Sequence, residues 1–278
     1  MSETNGNSRS RLHGLWALTN RELKKWYKAP VIFVLSIIQP IIWMGLLGKA
    51  MNLSALIPTG LDVKAIMKVS LGTSDYFSFM AVGMIGMTAL FTTMFSGMSV
   101  VWDRRLGFLN KVLSTPVSRG VIIFSKVLSA TLRSMFQAGI IIVIAVAFGL
   151  QLGASFNLLN LLGVFAVMFL LCVGLSSAFI AITIRSTRME TPMAVMNLIN
   201  LPMMFASNAM FPSKLMPDWL QPVVQVNPLS YANDAVRQLL IFDTVDYTKL
   251  AMDFAYVGVF AVIVAVIGIV LSWRFLSK

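Results

Sequence analysis

Few side chains in this chain could make or break a covalent bond. It has one histidine, His13, and one cysteine, Cys172, in 278 residues. A single imidazole makes a histidine-based metal site or a Ser-His-Asp triad implausible. No Gly-x-x-x-x-Gly-Lys-Ser/Thr phosphate loop occurs, so ATP hydrolysis is not expected of this chain. The notable polar side chains lie within apolar runs at helical spacing. Thr88, Thr92, Ser96 and Ser99 form one row; Asn197, Asn200, Met204, Ser207 and Asn208 form another. Polar groups inside a bilayer avoid lipid, so each row suits a substrate path or hydrogen bonds between helices equally well. Methionines such as Met84, Met87 and Met94 suit an adaptable apolar surface, with packing against lipid the plainer reading. No pair of acids lies deep in an apolar run, as an ion-coupled carrier would require.

A second kind of chemistry, recognition by charge and shape, concentrates in Trp102–Gly120. This stretch carries Arg104, Arg105, Lys111 and Arg119. Spacing predicts a helix over 103–115, with Trp102, Leu106, Leu109 and Leu113 in one stripe, Arg104 and Lys111 facing away, and Pro116 ending it. Such a helix between apolar runs suits presentation to a soluble partner. Residues 11–29 read as an amphipathic interfacial helix after a disordered tail over 1–10. Leu12, Leu15, Trp16, Leu23, Trp26 and Tyr27 share its apolar face. Arg21, Lys24, Lys25 and Lys28 share the basic face, suited to anionic lipid.

The elements that position these residues follow from composition. The chain is 58% hydrophobic and 12% charged, with mean hydropathy +0.82. Soluble domains carry about 25% charged residues, so an all-α, multi-pass membrane protein is expected. Six apolar segments qualify as spans: 30–50, 76–101, 121–150, 157–184, 192–211 and 251–273. With both termini cytoplasmic, fourteen of the 22 basic residues fall in cytoplasmic loops and five in the opposite loops. The net charge of +11 therefore reports topology, and no nucleic-acid partner is expected. The N-terminal residues do not read as a signal peptide. Lys126 and Arg133 suit headgroups or a partner helix. The connection 51–75 is external. Four prolines break 211–250 into short external or re-entrant pieces, including a helix over 231–242 capped by Ser230.

Two patches resemble the type-2 permeases of ATP-binding-cassette (ABC) transporters, in particular drug- and polysaccharide-export permeases. One is Arg104-Arg105-Leu106-Gly107 followed by Leu113-Ser114-Thr115-Pro116-Val117-Ser118-Arg119. The other is Phe211-Pro212, Met216-Pro217-Asp218-Trp219-Leu220, Asn227-Pro228-Leu229-Ser230-Tyr231 and Arg237. With the six-span pattern, the resemblance covers residues 11–275.

The resemblance implies a membrane domain over 30–275, paired with a second permease copy and two separate ATPase subunits. ATP and Mg would bind those subunits, with no cofactor in this chain. The helix at 103–115 would be a coupling helix seated by Leu106, Leu109 and Leu113. Arg104, Arg105 and Lys111 would be rim contacts, and Gly107 would permit close approach. The interfacial helix, with Trp16, Arg21, Lys24, Lys25 and Trp26, would be a second contact. Segment 211–250 would cap the exit side around Asn227, Pro228, Leu229 and Tyr231. Leu106 and Asn110 stand where the family usually has Glu, and Ser125-Lys126 replaces its Gly-Lys. The expected function is export of a hydrophobic or amphipathic substrate across the cell membrane. Thr88, Thr92, Ser96, Asn197, Asn200, Met204 and Asn208 are candidates to line its path. Export of polysaccharide or lipid-linked glycan, and an ATP-independent channel or secondary carrier, are the alternatives.

Overall fold

Local chemistry sets where the helices begin. The computed structural model describes residues 7–50, 62–115, 117–186 and 188–276. The tail over 1–6, the connection over 51–61 and Pro116 lie outside the described residues. Helix α1 (Asn7–Tyr27) begins within the stretch expected as a polar tail. Pro30 opens α2 (Pro30–Trp43), where its missing N–H leaves nothing unbonded. A π-helical turn, Met44–Ala50, extends α2, and α3 (Val63–Leu71) follows. The Asp75 carboxylate accepts from the N–H groups of Phe77 and Ser78 and opens α4 (Tyr76–Arg105). After α5 (Phe108–Leu113) and α6 (Arg119–Ala147), Asn157 caps α7 (Leu158–Thr183) by accepting from the Asn160 N–H. The remaining helices are α8 (Glu190–Phe205), α9 (Gln221–Val226), α10 (Pro228–Leu240) and α11 (Tyr247–Leu276).

Helix α4 is the axis. It is buried on nearly every face, against α6, α7, α10, α8 and the π turn. Glycine makes the closest approach possible: at Gly83 a Cβ would run into the backbone carbonyl of Ala209. The main apolar core joins Met80, Met84 and Leu90 of α4 to Leu171, Leu175 and Phe179 of α7 and Leu229 of α10. The perimeter is also apolar. Val259, Val262, Ile263 and Val266 of α11, Leu35 and Ile38 of α2, and Leu198 and Leu201 of α8 are exposed. Aliphatic residues outside and satisfied helical backbone within are what a bilayer demands of its solute.

Among the described residues, four helices are long and apolar enough to cross a membrane: α4, α6, α7 and α11. A fifth apolar helix, Phe33–Lys49, is shorter. Helix α8 has 16 residues, about 24 Å at 1.5 Å per residue, short of a bilayer core of about 30 Å. The segment expected to run 192–211 ends early, because Pro202 removes a backbone donor and the chain turns at Ala206.

A correction concerns α10. The helix runs Pro228–Leu240, capped by Asn227, instead of 231–242 capped by Ser230. Pro228 presets the first helical dihedral, and the Asn227 side chain accepts from the Leu229 N–H at 3.0 Å. The nucleus therefore forms three residues earlier than Ser230 would place it. Helix α10 is wedged among α4, α7 and α11, with nearly all of its residues buried.

Candidate functional site

The loop between α4 and α6 departs from one continuous helix. Helix α4 continues to Arg105 with Leu106 as its cap. Gly107, at φ 72°, then reverses the chain before α5. A side chain with a Cβ adopts this left-handed geometry poorly, so glycine here serves the turn. The turn divides the leucine stripe. Leu106 is 80% exposed at the tip, whereas Leu109 is 3% exposed. Leu109 and Val112 pack with Val100 of α4 and Ile122, Ile123 and Val127 of α6, and Leu113 lies against the same cluster. The expectation that Leu106, Leu109 and Leu113 share one outward face is therefore corrected: Leu109 faces inward. Trp102, Arg105 and Lys111 remain on the outside. Arg104 turns toward the loop after α7, where its Nη1 reaches the Ser186 carbonyl at 3.5 Å.

Helix α1 lies over this loop and contributes a charge cluster. Lys126 of α6 donates to Asp103 of α4 at 2.6 Å and to the Ser99 hydroxyl at 3.2 Å, and its Nζ lies 3.4 Å from Glu22 of α1. The other Asp103 oxygen accepts from Lys25 at 2.9 Å and Arg21 at 3.2 Å. The Arg21 guanidinium lies 3.2 Å from the centre of the Phe108 ring at the start of α5. Arg21 and Lys25 are thus paired with Asp103, although the Lys25 side chain stays exposed, and Lys24 is exposed as well. Trp16 is exposed, while Trp26 packs edge-on against Phe33 of α2 and Phe136 of α6. Glu22 and Phe108 escaped the sequence reading. Their signals were an acid within a basic helix and an aromatic beside the turn glycine.

The polar rows divide similarly. Thr92 donates to Gln137 of α6 at 2.5 Å, and Gln137 donates to Ser36 of α2 at 2.6 Å, a relay across three helices. Thr88 and Ser96 donate to their own helix, at Met84 and Thr93. Beside the relay, Trp43, Met84, Thr88, Phe91 and Phe95 line a crevice between α2 and α4. On α8, Asn200 and Met204 are buried with Met196, and Asn197 points outward. Asn208 lies past the end of α8 and donates to Asp234 of α10 at 2.6 Å. The second row is therefore not a continuous lining.

At the α10 end, the Asn227 amide donates to the carbonyls of Met203 at 2.8 Å and Ala206 at 2.6 Å. It thereby ties the end of α8 to the start of α10. Tyr231 stacks on Tyr256 at 3.9 Å and donates to the Gln225 carbonyl. Arg237, 1% exposed, stacks over Phe79 at 3.6 Å and donates to the carbonyls of Asn208 and Ala209.

The family profile of ABC-2 type transporters matches residues 13–241. The chain belongs to that family. One relative is ycf38 of Porphyra purpurea, whose name marks it as a transport permease; it is 33% identical over 80% of this chain and 72% of its own length. The ycf38 protein of Cyanophora paradoxa is 30% identical over 81% and 73%. The daunorubicin resistance ABC transporter permease protein DrrB1 of Streptomyces coeruleorubidus is 23% identical over 60% and 59%. This chain is accordingly a multi-pass transmembrane permease subunit of an ABC transporter, a class that works with ATPase subunits. The ABC-2 match starts within α1 and ends just after α10, so it includes the α1 charge cluster, the α5 loop and the Asn227 tie.

Proposed function

We propose that this permease exports a hydrophobic or amphipathic substrate from the cell, using ATP hydrolysed by a separate ATPase subunit. Two permease copies and two ATPase copies make the transporter. The chain crosses the cell membrane six times, with both termini cytoplasmic, α2 and α8 serving as short spans. ATP and Mg bind on the ATPase subunits.

The observation that carries this reading is the tip between α4 and α5. Leu106 stands exposed beside exposed Arg105 and Lys111, above a packed and charged base. A protruding apolar knob with a basic rim suits an apolar socket with acidic edges on a partner. The motif-bearing loop thus offers Leu106 as its seat, with Arg104 committed to the neighbouring loop.

The crevice beside α2 supports the cargo class. Trp43, Met84, Phe91 and Phe95 supply flat and adaptable apolar surface, Thr88 and Thr92 supply hydroxyls, and among the described residues no charged one lines it. Such a lining suits an uncharged or amphipathic molecule. The relative named for daunorubicin resistance points the same way.

Affinity purification of the full chain from its native host tests the reading. An ABC ATPase should co-purify, and Leu106→Glu should release it. A chain that purifies alone and moves cargo in vesicles free of ATPase would overturn the proposal.

A further inference from the structure

The charges under α5 are a poor choice if stability alone is at stake. Glu22, Asp103 and Lys126 are each at most 4% exposed. Buried ion clusters generally stabilise no better than apolar packing of the same volume, because desolvation offsets the attraction. They do, however, fix geometry. One mutual placement of α1, α4 and α6 lets Lys126 reach both carboxylates and Ser99 while Arg21 and Lys25 share the far oxygen of Asp103.

Arg21 extends that register to α5. Its guanidinium holds Asp103 on one side and lies on the Phe108 ring on the other. The site otherwise invites pivoting. Gly107 carries a left-handed φ, and a Cβ there would meet nothing within 4 Å. If α5 swung about Gly107, Phe108 would leave Arg21, and Leu109 would leave its apolar cluster.

We propose that Arg21, Glu22, Asp103, Lys126 and Phe108 form a joint that makes α1, α5 and the adjoining ends of α4 and α6 one rigid piece. Movement of α5 then carries α1 and both long helices with it. These are positioning residues: they act through α5 and touch no cargo. Helix α1 becomes a working part of the transmission as well as a surface anchor. The proposal rests on the reading that an ATPase engages the α5 loop.

Spin-label distances in the intact complex test it. Cys172 is buried, so introduced cysteines take the label selectively. Pairs at Lys24 and Ser114, Lys24 and Lys214, and Ser114 and Lys214 report α1 to α5, and each of these to the opposite end. The complex is measured without nucleotide and with ATP plus vanadate. Both distances to Lys214 should shift together, while Lys24 to Ser114 stays constant. A nucleotide-dependent change between Lys24 and Ser114 would overturn the joint. In Glu22→Gln/Asp103→Asn/Lys126→Met the buried charges are removed together, which favours folding. The Lys24–Ser114 distribution should broaden, and the shift at Lys24 should be lost; an unchanged distribution counts against the joint. Lys126→Arg should retain the coupled shift. If the triple variant does not fold, the native chain's three distances still decide. Absence of an ATPase from the preparation refutes the functional reading as well; its presence with independent motion of α5 refutes the joint alone.

Discussion

Asn227 makes the sharpest stability test because one side chain performs two separable tasks. Its oxygen caps α10, and its amide closes the end of α8 through Met203 and Ala206. Truncation to Ala removes a cap worth about 1 kcal/mol. It also leaves two carbonyls without their donors, each costing about 1–2 kcal/mol where water cannot replace the bond. Asn227→Ala should therefore lose about 3–5 kcal/mol, or roughly 6–12 °C in melting temperature at the lower figure. Asn227→Asp separates the tasks. It keeps the capping oxygen, yet sets a carboxylate against the oxygens that the amide held at 2.6 and 2.8 Å. Asp should therefore be worse than Ala, although Asp is the better cap of the two. Heat unfolding of the detergent-purified chain, followed by tryptophan fluorescence, gives both values. An Asp variant as stable as the native chain would refute the tie between α8 and α10.

The tip and its base should respond oppositely to the same change. Leu106→Glu, on the surface, should alter stability by no more than about 0.5 kcal/mol while abolishing ATPase pull-down. Leu109→Glu buries a carboxylate in an apolar cluster and should prevent stable folding, seen as loss of the monodisperse peak in size-exclusion chromatography. Gly83→Ala forces a methyl into the Ala209 carbonyl and should cost about 1–3 kcal/mol by the same heat unfolding, because backbone must move. Lys68 and the Ala154 N–H hold Asp243 below its ordinary value of 3.8. Its depressed folded value means that the Lys68–Asp243 link between α3 and the α10–α11 loop is intact above pH 3.8 and fades as pH falls through the lower value. Amide exchange in α3 should thus be unchanged between neutral pH and about pH 5 after correction for intrinsic rates, whereas Asp243→Asn should raise it at neutral pH.

Much of the architecture was legible because it depends on sums. A low charged fraction and long apolar runs imply membrane helices wherever individual residues point. The Asn227-Pro228-Leu229 motif was legible as a motif, but its chemistry was not, since the Asn227 amide bonds two carbonyls more than twenty residues away. Helical periodicity failed at Gly107, where one left-handed residue turned Leu109 inward and left Leu106 outside. It failed again at Asp103 and Lys126. Lys126 reads locally as a charge for headgroups or a partner helix, and only the crossing of α1, α4 and α6 makes Asp103 and Glu22 its partners. The polar row on α8 broke for a simpler reason: a helix ending at Phe205 cannot carry Asn208 on its face.

The charge cluster also bears on how the chain is made. Glu22 and Lys126 are 104 residues apart. At the 5–20 residues per second typical of synthesis, Glu22 emerges roughly 5–20 s before its buried partner. Until α6 arrives, α1 can hold its acid only in water or against its own Arg21 and Lys25. Docking of α1 therefore waits until α6 is made, and a chain halted before α6 should leave α1 open to protease at the membrane surface. The same residues that set the geometry of the finished subunit would then mark the moment when its first three long elements have assembled.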